Sequence, residues 1–164
     1  MTMPDLAMHI LDIMENSTRA EAKNIALAIV EDHAANSVSI TITDDGKGMT
    51  ESELKRAIDP FYTTKKERNK VGLGLAMLKE TAEQAGGCLV VTSTPCKGTV
   101  VRARMVLDHI DRPPLGDINQ TLKIVIATNP GVTFDVTYTV DGETERFSTR
   151  DVPQGNSGVP DNAG

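Results

Sequence analysis

The sequence has no run of apolar residues approaching the length of a membrane span, which argues against a helical membrane protein. Its start, MTMPDLAMHILDIMENS, lacks the basic end and long apolar stretch of a signal peptide and carries acids instead. A cytoplasmic location is therefore expected. Cysteine is scarce: Cys88 and Cys96 are the two present, as suits a reducing compartment. Their spacing and the lack of neighbouring ligand-type residues argue against a metal site, so both are read as structural. Positive charge is short as well, with 17 Lys and Arg against 23 Asp and Glu for a net charge of −6. A general nucleic-acid binder needs basic surface to release counterions, and that class is set aside. Internal repeats are missing too. What remains, 164 residues of which 39% are hydrophobic, is enough for one globular domain with a modest appendage and a core that needs no staples.

The order of elements reads as mixed α and β. DLAMHILDIMENSTRA places Leu6, Ile10, Ile13, Met14 and Ser17 on one helical stripe and the polar His9, Asp12, Asn16 and Arg19 on another. NIALAIVED and SVSITIT alternate like an antiparallel strand pair around the turn HAAN. In TDDGKGMTESEL a strand stops at a glycine turn, and Thr50 with Glu53 forms a capping box that opens a helix ending before Pro60. Residues 59–71 have no clear period and read as a loop. GLGLAMLKETAEQAGG is a helix with Leu75, Leu78, Ala82 and Ala85 inward, and CLVVTSTPCKGTVVRARMVL is a second strand pair. The expected fold class is α+β: a two-layer sandwich with a mixed, mostly antiparallel sheet covered on one face by helices.

Beyond residue 107 the texture changes. DHIDRPPLGD is a proline-punctuated connector, and INQTLKIVIATNPG fits either a short helix or a strand. VTFDVTYTV and ETERFST flank an Asp-Gly pair as a hairpin. Three segments follow: residues 1–107, an extension over 108–150 carrying the hairpin, and a Gly- and Pro-rich tail over 151–164 with a disordered composition.

Asp12 and Asn16 are four apart, so an acid and an amide share one helix face and can address one ligand together. A solvated helix face is the plain alternative. The chain then presents DIMENS, DDGKGM, DPFYTTK, VGLGLAMLK and KGT in that order, at spacings a small two-layer domain can bring together. Over roughly residues 6–107 this resembles the histidine-kinase-like ATPase superfamily, which includes DNA gyrase B, the Hsp90 chaperones and MutL. The resemblance implies the Bergerat-type ATP-binding fold, with ATP and Mg²⁺ as ligands.

The resemblance assigns roles to matching positions. Asn16 is the amide that helps hold Mg²⁺. Asp12 stands where ATPase members carry a glutamate that polarises water, and its shorter reach implies slow hydrolysis. Asp44 accepts from the exocyclic amine of adenine, often with a water held by a threonine, here Thr99. Gly46 and Gly48 supply positive φ and close approach to the base, while Asp45 is a turn former. Gly72, Leu73 and Gly74 offer backbone amides to phosphate at a helix start. Of the basic loop residues Lys65, Lys66, Arg68 and Lys70, Lys65 is the one placed on phosphate. Lys70 and Val71 depart from the family's Gly-Thr pair and imply a shorter, stiffer lid. Phe61 is read as a packing anchor and His9 as structural, with His33 and His109 on the surface.

Classical sensor kinases carry a phosphorylated histidine on a hairpin before this domain, and the first motif here begins within the first dozen residues. Phosphorylation in trans is thus expected, as in the similar anti-sigma-factor serine kinases. The expected partner is a protein, either phosphoacceptor or regulated protein; nucleic acid and membrane are not expected, and a homodimer is allowed. An ATP-dependent conformational switch and a nucleotide sensor with little or no phosphotransfer stay open beside the kinase. The connector is also similar to small ATP-binding proteins found alongside bacterial redox and iron-hydrogenase enzymes, which implies a redox-linked partner.

Overall fold

Six strands form one sheet in the order β3-β4-β2-β1-β5-β6, and the helices pack on one of its faces. The computed structural model describes residues 5–61 and 73–151. Lys65, Gly72 and the rest of the basic loop lie outside the described residues, as does all of the tail but residue 151. Along the chain the elements are α1 (Leu6–Arg19), β1 (Asn24–Asp32), β2 (Ser37–Asp44), α2 (Glu51–Ala57), α3 (Leu73–Gln84), β3 (Cys88–Thr94), β4 (Gly98–Val106), α4 (Ile118–Thr128), β5 (Thr133–Val140) and β6 (Glu143–Ser148). A short 3₁₀ turn, Thr149–Asp151, ends the described chain. This is the α+β architecture expected, with every neighbouring strand pair antiparallel except β1 and β5.

Strict alternation decides which side of the sheet is buried. Ile25, Leu27 and Ile29 of β1, Val38, Ile40 and Ile42 of β2, and Val101, Ala103 and Met105 of β4 all face the helices and are buried. Against them lie Leu6, Ile10, Ile13 and Met14 of α1 and Leu75, Leu78 and Ala82 of α3. Burying each such large side chain contributes roughly 1.5–3 kcal/mol, so the register is strongly fixed. The opposite face, which no described helix covers, carries small and polar side chains such as Ala28, Thr41 and Thr137 in one cross-strand row.

The segment over 118–128 is a helix. Its Ile118, Thr121, Leu122 and Val125 are buried at helical spacing, so packing on α1 overrides the β-branched composition. The hairpin β5–β6 turns at Asp141 and Gly142, with φ of 49° and 88°. It continues the main sheet, because β5 pairs in parallel with β1 from Asn24↔Thr133 to Glu31↔Val140. Two expectations fail here. Cys88 and Cys96 are exposed free thiols outside the core cluster, and Phe61 is 95% exposed, so it anchors no core.

Phe134 of β5 has no solvent exposure and belongs to the same core cluster as Ile25 and Leu27. Phe134→Ala should lower unfolding free energy by about 3–5 kcal/mol in denaturant titration. A loss below about 1 kcal/mol would mean that the extension does not share the core.

Candidate functional site

At one end of the sheet the core-facing row ends in polar residues. Register places Ile25 opposite Asp44, Asp44 opposite Thr99, and Thr99 opposite Ser93, so the last three stand side by side beneath the helices. A cleft of about 350 Å³ opens there. Its walls are Ile13, Asn16, Ser17 and Ala20 from α1 and its end, Gly48 and Met49 from the glycine turn, Leu75 from α3, and Asp44, Thr99 and Val101 from the sheet. Glu53, Arg56 and Ala57 of α2 complete the lining. A mostly apolar cleft with a few convergent polar groups is the usual form of a small-molecule site.

Asp44 is held by two donors. Ser17 Oγ donates to Oδ2 at 2.6 Å and the Gly46 N–H donates to Oδ1 at 2.9 Å. Each carboxylate oxygen can accept more than one hydrogen bond, so acceptor capacity remains at the cleft wall. Asp45 turns away from the cleft. Its Oδ1 accepts from the backbone N–H of Lys23 and Asn24, and its Oδ2 from Asn24 Nδ2. The Asn24 side-chain bond, with the backbone bonds, draws its carboxyl below the usual range. It ties the turn to the start of β1, a firmer role than turn former.

Gly48 has φ of 68°, and a Cβ there would overlap the Thr94 carbonyl, so both conformation and space call for glycine. Gly46 corrects the expectation of positive φ, which it lacks; a Cβ on it would sit 2.8 Å from the Ala20 carbonyl oxygen, so close approach is its function. Opposite the turn, Ser93 Oγ accepts from the Met49 N–H at 2.8 Å and lies 2.7 Å from Thr99 Oγ1. Thr50 and Glu53 form the expected reciprocal capping box at the start of α2.

Asn16 lines the cleft on its α1 side, while Asp12, one turn earlier on α1, lies outside the lining and against the start of α3. Gly74 is the second residue of α3 and not a residue before the helix, beside Leu73 at its first position. A Cβ on Gly74 would lie 3.4 Å from Asp12 Cβ and 3.7 Å from Asn16 Nδ2, ordinary contact distances that set the start of α3 directly against these two. Asn16 Oδ1 accepts from Arg19 over a long 3.5 Å, a contact readily exchanged for a stronger partner. Partial withdrawal from water raises the Asp12 carboxyl above its ordinary value, opposed by His9 and Arg19, although its surface stays exposed. Among the described residues no cluster of three His, Cys, Asp or Glu could hold a metal on its own.

The structure thus brings Asp12, Asn16, Asp44, Gly46, Gly48, Leu73, Gly74 and Thr99 to one end of the fold. Two participants were not foreseen. Ser17 sits on the apolar stripe of α1, and its partner emerges only in three dimensions; Ser93 showed only as one position of an alternating strand.

A two-layer fold with a carboxylate-floored cleft between α1, a glycine turn and α3 defines an ATP-binding domain of the Bergerat type. The chain belongs to the histidine kinase-, DNA gyrase B- and HSP90-like ATPase family, whose pattern matches residues 3–109. It is 30% identical over 114 residues to the sensor histidine kinase ZraS of Escherichia coli strain K12, covering 69% of this chain and 24% of that protein. With sporulation kinase E of Bacillus subtilis it shares 47% identity over 73 residues, covering 44% of this chain and 9% of the kinase. The chain therefore corresponds to a small part of these relatives. Among solved structures, the N-terminal domain of a DNA repair protein matches with a TM-score of 0.60 at 18% identity, covering 88% of this chain and 52% of that one. The Aquifex aeolicus MutL ATPase domain complexed with ADP matches with a TM-score of 0.54 at 14% identity, covering 87% of this chain and 62% of its own. No described helix is long and apolar enough to cross a membrane.

His9 joins the site to the core. Contrary to its place on a polar stripe, it is only 3% exposed, with Nε2 3.2 Å from Thr81 Oγ1 of α3. Burial pushes its imidazole below the usual histidine value, against the pull of Asp12 and Asp5. A folded value below the unfolded one, about 6.5, contributes stability that is present above the unfolded value and lost as pH falls through the folded one. Denaturant midpoints should fall from about pH 7 to about pH 5, and His9→Gln should flatten that fall. Equal slopes in the two proteins would remove His9 as its source.

Proposed function

We propose that the cleft binds ATP with Mg²⁺ and that the chain acts as a protein kinase in trans on a regulatory protein partner. The observation that carries the nucleotide reading is Asp44, held from two sides and still able to accept at the cleft wall. An adenine amine would donate to it. A guanine oxygen would set two acceptors against each other in a largely apolar site, which favours ATP over GTP. Thr99, paired with Ser93, stands beside Asp44 to orient a bridging water. The donor set also fits Mg²⁺, which commonly takes one or two protein oxygens and fills its octahedral shell with phosphates and water. Asn16 would supply the amide oxygen, and the ion would neutralise phosphate charge.

Phosphotransfer to a partner is supported by where the described histidines lie. His9 is enclosed between α1 and α3. His33 pairs with Asp141 at 2.9 Å, and His109 Nδ1 accepts from the Asp111 N–H. Both of the latter lie at the far end of the sheet from Asp44, beside the β1–β2 turn and the end of β4. The kinase names of the sequence relatives support phosphotransfer itself and leave its acceptor open.

Asp44→Asn should cost adenine-nucleotide binding about 1–3 kcal/mol in calorimetry, because a donor amide replaces half of the acceptor. Unchanged ATP affinity in that variant would sink the adenine assignment.

Asp12 decides the fate of the phosphate. Its raised carboxyl value moves it toward the range of a general base, and its length leaves room for a partner hydroxyl in place of water. With γ-labelled ATP, Asp12→Ala should lower turnover roughly a hundredfold, and Asp12→Glu should raise transfer to water. Equal hydrolysis by wild type and both variants would return Asp12 to an ordinary helix-face residue and leave the switch or sensor as the function.

A further inference from the structure

The two edges of the sheet are built differently. At one, β6 reads ETERFS and sets Glu143, Glu145 and Arg146 along its length, a common protection against strand addition. At the other, β3 reads CLVVTST, seven residues with no charge, no internal proline and many β-branched side chains. It pairs with β4 alone, and among the described residues no element hydrogen-bonds to its outer side. Val90 in its middle is 54% exposed.

A second observation lies on the adjoining strand. Arg102 stands opposite Val90 and Arg104 opposite Cys88, so both arginines project from the open face of the sheet beside this edge. Both are exposed, and neither forms an ion pair among the described residues. In a chain of net charge −6, two exposed arginines two residues apart, without an ion pair among the described residues, are a local excess of the minority sign.

We propose that the β3 edge docks an acidic, extended segment of a protein partner by strand addition, with carboxylates at alternate positions meeting Arg102 and Arg104. A strand added beside β3 would lie roughly 10 Å from β4, two strand spacings, a gap that an arginine and a glutamate on the same face span together across Val90. Positions between the carboxylates would face the other way, beside Leu89 and Val91, which pack on the core and favour apolar neighbours. Backbone pairing supplies affinity, and the acidic–apolar alternation supplies selection. The surface needs no nucleotide, so it stands or falls apart from the kinase reading.

The test uses the full chain without ATP and a fluorescein-labelled peptide of sequence Glu-Val-Glu-Val-Glu-Val-Glu, followed by anisotropy. The expected result is saturable binding that weakens at least about fivefold in the Arg102→Ala, Arg104→Ala double variant, as two lost surface ion pairs imply. An analogue N-methylated on alternate amides keeps every charge but cannot pair along one edge, and it should bind weakly. Arg146→Ala, on the same face at the far edge, should leave binding unchanged, and circular dichroism confirms that each variant is folded. The proposal is overturned by absence of saturable binding, by equal binding of the N-methylated analogue or the double variant, or by an equal loss in Arg146→Ala. Displacement by a single-stranded oligonucleotide as effective as unlabelled peptide would also overturn it, marking a general polyanion surface.

Discussion

The antiparallel register of β2 against β4 places Asp44 beside Thr99 on the core-facing side of the sheet, and the site depends on that placement. The residues two steps along, Ile42 and Val101, are buried apolar side chains on the same face, so the row that ends in a carboxylate is the continuation of a hydrophobic row. A slip of one residue would turn Asp44 to the open face and put Thr43 under the helices. The cost of that slip falls on every inward position of both strands, which is why a single polar residue can be held at the end of the core. Ser17 and the Gly46 N–H then meet a carboxylate whose position the sheet has already fixed.

Helix α1 is the second support, and its start depends on the extension. The first N–H groups of a helix have no partner within it. Here Leu6 N–H donates to the Pro114 carbonyl at 2.9 Å, Ala7 N–H to the Leu115 carbonyl at 2.8 Å, and Met8 N–H to the Asp5 side chain at 2.9 Å. The proline-punctuated connector thus caps the helix that presents Asp12, Asn16 and Ser17, and α4 packs on the same helix. The family pattern ends at residue 109, yet the packing that fixes α1 continues beyond it.

Local signals in the chain were legible and long-range ones were not. The apolar stripe of α1, the capping box at Thr50 and Glu53, the hairpin turn at Asp141 and Gly142, and the inward residues of α3 each depend on neighbours a few positions apart, and each forms as read, whereas His9 leaves the polar stripe for the core. The parallel pairing of β5 with β1 joins distant segments and left no local mark. The α4 sequence suits helix or strand by composition, and contact with α1 settles it. At the site, motif order gave Asp44 and Asn16, whereas Ser17 and Ser93 were hidden because a hydroxyl on a buried stripe looks like ordinary packing. Phe61 misled because aromatic residues usually pack, and this one is exposed.

One strand serves both faces of the molecule. Along β4 the period of two sends Thr99 and Val101 toward the cleft and Arg102 and Arg104 away from it. A rigid central strand has little freedom to shift one face without the other, because its backbone is bonded on both sides, to β2 and to β3. A segment added at β3 would therefore extend a ladder that runs directly to Asp44 through Ser93 and Thr99. Within that ladder Ser93 is the residue of the edge strand itself, and it reaches the glycine turn through the Met49 N–H. Edge pairing would reach the cleft through Ser93, which meets both the Met49 N–H and Thr99 Oγ1, while Ser17 and Gly46 hold Asp44 independently of β3.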